Sequence, residues 1–178
     1  MTVIVIDTNV LLAADGQADH MSAECMEECL TRLKRVKATE RVVLDDARIL
    51  LGEYHHILKP NSSPTYGSAF LKWLLQVEGN ANHVEKVTIT PRDQENTLFD
   101  EFPSDAALEA VIDRSDRKFF AVSNAHRDKP PILEATDTKW LGWEDQLKQH
   151  GIKVEVLCRC ELETIRKRNL ARKTKTKR

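Results

Sequence analysis

The sequence predicts a three-layer α/β/α fold with a mainly parallel central sheet, and three observations carry that expectation. Val3-Ile4-Val5-Ile6 is an unbroken β-branched run, the pattern of a strand buried on both faces. Short apolar strands then alternate with longer helical patterns, as parallel strands require of their connections. The first strand also ends on a carboxylate, Asp7, where open parallel sheets receive their ligands.

The elements follow in order. Residues 10–14 begin a helix that Gly16 breaks. Over 21–36, Met21, Cys25, Cys29 and Leu33 repeat every four residues, with Met26, Leu30 and Val36 widening the apolar stripe of a second helix. Residues 41–45 read as the second strand, and Asp46 is placed to cap a helix over 47–58 that Pro60 stops. Asn61-Ser62-Ser63-Pro64 is a turn-rich connection. Phe70, Trp73, Leu74 and Val77 mark an amphipathic helix over 66–77, and their size suggests a homodimer surface. A strand over 84–90 ends at Pro91, and the polar segment 92–105 predicts a loop with one short helical turn. Helices are expected over 106–112 and 116–125, and a short strand over 131–135. A helix through Trp140, Trp143 and Leu147 ends near Gly151, the last strand covers 152–157, and a terminal helix over 162–170 frays into the tail. The two tryptophans are expected to pack that helix on the sheet.

Composition narrows the class. A chain of 178 residues, 41% hydrophobic and 31% charged, suits one domain with an insertion and a real core. The expected division is a domain over 1–157 with an enlarged helical middle at 59–112, and a basic C-terminal helix or tail over 158–178. No apolar run approaches the roughly 20 residues of a membrane span, so no membrane partner is expected. Asp7 interrupts the first strand too early for a secretory signal, which makes the cytoplasm the expected location. The net charge of −1 is uneven: 166–178 holds eight of the 27 Lys and Arg and no acid, leaving 19 cations against 28 acids in the rest. Such a tail suits a polyanion, or serves only to solubilise the chain.

Cys25 and Cys29 stand one helical turn apart, and Cys158 and Cys160 lie two apart at a strand end. Neither spacing is the zinc knuckle's Cys-x2-Cys, so reduced thiols are expected, with a four-thiolate zinc site as the alternative. His55 and His56 diverge by about 100° on a helix and read as surface residues. No Gly-rich phosphate loop is present.

Four acids recur in comparable settings. Asp7 ends the first strand, Glu53 lies in the helix after the second, Asp116 opens a helix, and Asp137 follows the strand ending at Ala135. Each has an ordinary structural role open to it: a cap for Asp7, an Arg48 partner or surface residue in Glu53, a helix-dipole partner in Asp116, a turn for Asp137. Gathered together, they offer the hard oxygen donors that Mg2+ and Mn2+ prefer. A divalent cation reverses the repulsion among such carboxylates, and Thr8, Asn9 and Thr136 are placed to orient ligands or waters around them.

These motifs resemble those of the PIN-domain nucleases. Val-Ile-Asp7-Thr8-Asn9-Val resembles the opening motif and Leu50-Leu51-Gly52-Glu53 the second; Asp116 with Ala121 five residues later is similar to the third; Ala135-Thr136-Asp137 before Trp140 resembles the fourth. The resemblance covers roughly 1–58 and 113–157. Asp113 competes with Asp116 but lacks the spacing to Ala121, and Lys139 stands where some relatives carry another acid. The resemblance implies a PIN-like fold and an endoribonuclease that uses one or two Mg2+ or Mn2+ ions held by Asp7, Glu53, Asp116 and Asp137. RNA is the implied partner, DNA less so. Arg117, Lys139, Arg166, Lys167, Arg168, Arg172 and Lys173 are the expected nucleic-acid contacts. A toxin of a toxin–antitoxin pair or a phage-defence nuclease is the implied setting, with an antitoxin or defence-system protein as partner. A catalytically inactive RNA-binding or assembly module and a structure-selective DNA nuclease are the alternatives.

Overall fold

The structure, a computed structural model, describes residues 2–58 and 65–176. The Pro60 stop, the 61–64 connection and the last two tail residues lie outside the described residues. In chain order the elements are β1 (Thr2–Ile6), α1 (Thr8–Ala14), α2 (Ala23–Thr39), β2 (Glu40–Asp45), α3 (Ile49–Leu58), α4 (Tyr66–Val77) and β3 (Val84–Val87). There follow α5 (Ala106–Val111), α6 (Arg117–Ala125), β4 (Ile132–Glu134), α7 (Trp140–Gln149), β5 (Val154–Val156) and α8 (Arg159–Thr176).

The five strands form one sheet in the order β3-β2-β1-β4-β5, and every pairing is parallel. Helices cover both faces, giving the expected three layers. On one side α1 packs on α2, α3 and α4; α6 lies against β1, β2 and β4, with α5 beside α7. Chain order reverses at β1, since β2 and β3 extend the sheet one way while β4 and β5 extend it the other. That reversal falls where open parallel sheets receive their ligands, beyond the carboxyl ends of β1 and β4. Ile6 pairs with Leu133, and the Asp7 N–H donates to the Leu133 carbonyl at 2.9 Å, so Asp7 leaves the sheet beside Glu134.

Local chemistry sets the boundaries. Ile4, Val5 and Ile6 are wholly buried, as the β-branched run requires. Ser22 caps α2 by accepting from the Cys25 N–H, and Cys25, Cys29, Leu33 and Val36 bury one stripe of it. The cap of α3 differs from expectation. Asp45 accepts from the N–H groups of Ile49 (2.6 Å) and Leu50 (2.8 Å), whereas Asp46 turns away to accept from Thr88 Oγ1 (2.6 Å). Arg48 has a left-handed backbone (φ 62°), so the helix starts at Ile49 rather than at residue 47. Segment 92–105 holds no helical turn; Asp93 ties it by accepting from the N–H groups of Thr97 and Leu98. Trp140 and Trp143 are buried with Phe120, the Phe120–Trp140 ring centroids lying 4.7 Å apart. The terminal helix is longer than expected because Leu162 buries its first turns and Arg159 pairs with Glu144.

The cysteine reading needs correction. Cys25 and Cys158 form a disulfide, with their Cα atoms 5.3 Å apart, which ties α2 to the start of α8. Cys29 is a buried free thiol whose pKa burial pushes up to about 12, and Cys160 is free and exposed. With two of the clustered sulfurs bonded to each other, a four-thiolate zinc site does not form. Among the described residues no helix is long and apolar enough to cross a membrane.

Gly67 marks a close crossing of α4 on α1. A Cβ there would lie 2.3 Å from the Leu11 carbonyl oxygen and 2.6 Å from Asp15 Oδ1, which itself accepts from the Ser68 N–H at 3.0 Å. Gly67→Ala is therefore expected to cost about 1–3 kcal/mol in urea unfolding. Gly52→Ala faces open space within α3 and is expected to stabilise by roughly 0.5–1 kcal/mol.

Candidate metal centre

The centre is assembled at the carboxyl ends of β1 and β4. Asp7, 2% exposed, caps α1: its Oδ1 accepts from the Asn9 N–H at 2.7 Å. The capping role and the site role thus coincide in one side chain. Burial pushes the Asp7 carboxyl well above its ordinary range; Glu134 and Asp116 add to the rise, the Asn9 N–H opposes it, and Glu53 adds the least. Glu134 stands beside Asp7 through the pairing of Ile6 with Leu133, and Thr8, the next residue, holds Glu53.

Glu134 is the residue that sequence reasoning missed. It was read as part of a short apolar strand, yet it is fully buried with its carboxylate turned into the site. Its Oε1 accepts from the N–H groups of Thr136 and Asp137, both at 2.7 Å, and Asn9 Nδ2 approaches Oε2 at 3.5 Å. Burial raises its pKa to about 7 against those backbone donors. The available signal was a lone acid in an otherwise apolar strand, since an ionisable side chain is seldom fully buried without purpose.

Glu53 enters from α3, half-buried. Thr8 Oγ1 donates to its Oε1 at 2.5 Å, and the Lys118 ammonium of α6 pairs with its Oε2. Lys118 is itself buried and also donates to the Ser115 carbonyl. Arg48 pairs with Glu78 instead, so the surface ion pair weighed for Glu53 does not form.

Asp116 precedes α6 and joins the inner acids to an outer group. Asp113, Asp116 and Asp137 each place a carboxylate oxygen within 4.8 Å of the other two, all half-buried. Burial raises Asp116 to about 6; Asp137 and Asp113 add to the rise, while the Ser115 hydroxyl and Lys118 oppose it. Asp113, set aside on spacing, therefore belongs to the cluster. Asp137 Oδ1 accepts from the Lys139 N–H at 2.8 Å, and the Lys139 ammonium pairs with Asp113.

The flanking residues divide. Thr8 and Asn9 touch Glu53 and Glu134 through their side chains, whereas Thr136 reaches Glu134 through its N–H. Arg117 is corrected as an exposed nucleic-acid contact: it is 8% exposed, Nη2 donates to the Glu109 carbonyl at 2.5 Å, and its guanidinium lies over Phe102. Position 117 begins the face of α6 that turns inward. Lys139, Arg166, Lys167, Arg168, Arg172 and Lys173 are exposed. His55 and His56 are exposed, as expected.

The donor set consists of carboxylate oxygens, which fits Mg2+ or Mn2+. Two ammonium groups offset part of the charge of the six acids, and the raised pKa values of Asp7, Asp116 and Glu134 mark the excess that a divalent cation would neutralise. The parallel α/β/α architecture is consistent with a PIN-like fold, while no family profile, characterised protein or solved structure matches the chain.

The raised pKa values have a signed consequence. Without metal, the folded chain holds protons on Glu134 and Asp116 that the unfolded chain has released by about pH 5. Their contribution is full below about pH 4 and is lost as pH rises through about 6 to 7. Glu134→Gln retains a carbonyl acceptor for the Thr136 and Asp137 N–H groups. In chelator, it is expected to raise Tm at about pH 8 and much less at about pH 5. Equal changes at both pH values in thermal unfolding would contradict this account.

Proposed function

We propose that the chain is a PIN-like, metal-dependent endoribonuclease in which Asp7, Glu53, Asp116 and Asp137 hold Mg2+ or Mn2+ directly or through water. The observation that carries this reading is the gathering of carboxylates beyond the ends of β1 and β4: Asp7 beside Glu134 by strand register, and Asp113, Asp116 and Asp137 with oxygens within 4.8 Å of one another. The motif resemblance supports RNA as substrate. When bound, the cation supplies a more acidic water and charge neutralisation at the phosphodiester. The chain's own residues prepare the site for it. Glu134 fixes the loop bearing Asp137 through two backbone N–H groups. Thr8 and Lys118 hold the two Glu53 oxygens from opposite elements. Asp7 is fixed in direction by the first turn of α1.

Asp7→Asn and Asp116→Asn are expected to lower Mn2+-dependent cleavage of single-stranded RNA by roughly 100-fold or more. Chelator should abolish the wild-type activity. Equal cleavage by wild type and Asp7→Asn would remove the reading. Parallel digestion of single-stranded and branched DNA separates a structure-selective DNA nuclease. A second reading has one observation in its favour: Lys118 and Lys139 already neutralise Glu53 and Asp113. Carboxylates so neutralised hold a cation less well, and RNA binding without cleavage at any metal concentration would establish a non-catalytic module.

A further inference from the structure

We propose that the cleft between the β4–α7 connection and α8 is a phosphodiester-binding site for the strand that flanks the bond cut at the acidic centre; its direction, though not its binding, rests on the nuclease reading. The cleft has a volume of about 540 Å³, and its polar lining is Thr138, Lys139, Arg166, Asn169, Arg172 and Lys173. It thus carries four cations and two neutral hydrogen-bonding side chains, with no carboxylate, in a chain whose residues 1–165 are acidic overall. That composition selects a polyanion. No aromatic residue lines the cleft, so it offers contacts to phosphate and no platform for base stacking.

Three features tie the cleft to the acidic group and to the fold. Thr138 and Lys139 directly follow Asp137, and Lys139 pairs with Asp113, so the cleft opens beside the acidic group. Arg166, Asn169 and Lys173 are spaced three and four apart and share one face of α8. On that face Arg166 reaches α7 at Gly142, where a Cβ would lie 3.2 Å from its Nη2. The glycine leaves room there for the guanidinium. The start of α8 is held by the Cys25–Cys158 disulfide, by buried Leu162, and by Glu161, which accepts from the Ser22 N–H at 2.8 Å and hydroxyl at 2.6 Å. The α8 cations therefore extend from an anchored root beside the acidic group. A strand leaving the acidic centre over Lys139 would enter this cleft, and its phosphates would meet cations after its scissile group has met metal.

The test is binding of a short fluorescent single-stranded RNA to the full chain in chelator, by anisotropy, across a salt series. Arg166→Gln/Lys173→Gln is compared with Lys72→Gln/Lys148→Gln, which removes the same charge from exposed sites outside the cleft. Losing two phosphate contacts is expected to reduce the slope of log K against log salt by about 1.4, with affinity falling about tenfold near 0.1 M salt. The control pair should change affinity less than about twofold. Equal losses in both pairs would reduce the effect to net charge and overturn the cleft, as would no loss in either. Displacement of the RNA by micromolar inorganic phosphate would also overturn it, because the site would then take a small anion. The outcome is separable from the catalytic reading. Wild-type binding without cleavage under Mn2+ removes the nuclease and leaves the cleft; cleavage with unchanged binding by the Arg166/Lys173 pair does the reverse.

Discussion

The parallel register of β1 against β4 is the constraint on which the rest depends. By pairing Ile6 with Leu133, it sets Asp7 and Glu134 side by side at the end of two buried strands, where water cannot dissipate their charge. Neither residue has a cationic side chain among its described hydrogen-bond partners; both are met mainly by backbone N–H groups, with the Asn9 amide as well. The repulsion is relieved by protonation or by a cation from outside. The inner pair is thus the costliest charge arrangement at that end of the sheet, and the place where an added cation would relieve the most repulsion.

Around that inner pair the charges are graded. Glu53 and Asp113, farther out, each receive a lysine, while Asp116 connects the inner and outer groups. Lys118 comes from the helix that Asp116 precedes, and Glu53 from α3, so one ion pair joins α3 and α6 at the rim. The same contact that steadies the fold there also limits how much negative charge remains for a metal. Folding and ligand chemistry share the same atoms.

Much of this was legible in the sequence because it depends on short-range patterns. A β-branched run ending in Asp and apolar repeats at helical spacing were enough for the layers, and the acids at element ends stood out by position alone. The rest depends on contacts distant in sequence. Glu134 looked like one residue of a strand, and only the register reveals that it faces Asp7. Asp113 was set aside on spacing, yet proximity to Asp137 is a tertiary fact. The start of α3 moved because the left-handed Arg48 gave Asp45, not Asp46, the exposed helix N–H groups. Arg117 misled because a position near a helix start does not tell which way the helix is rotated about its axis.

The disulfide between Cys25 and Cys158 joins residues 133 apart in sequence and so closes most of the polypeptide into a covalent ring. Glu53, Asp113, Asp116, Glu134 and Asp137 all lie inside that ring; Asp7 alone stands outside it. A single proteolytic nick within the ring would leave both fragments joined, migrating together on a gel until a thiol reductant parts them. The molecule is thus topologically a loop with two short arms, one bearing Asp7 and the other the cationic helix.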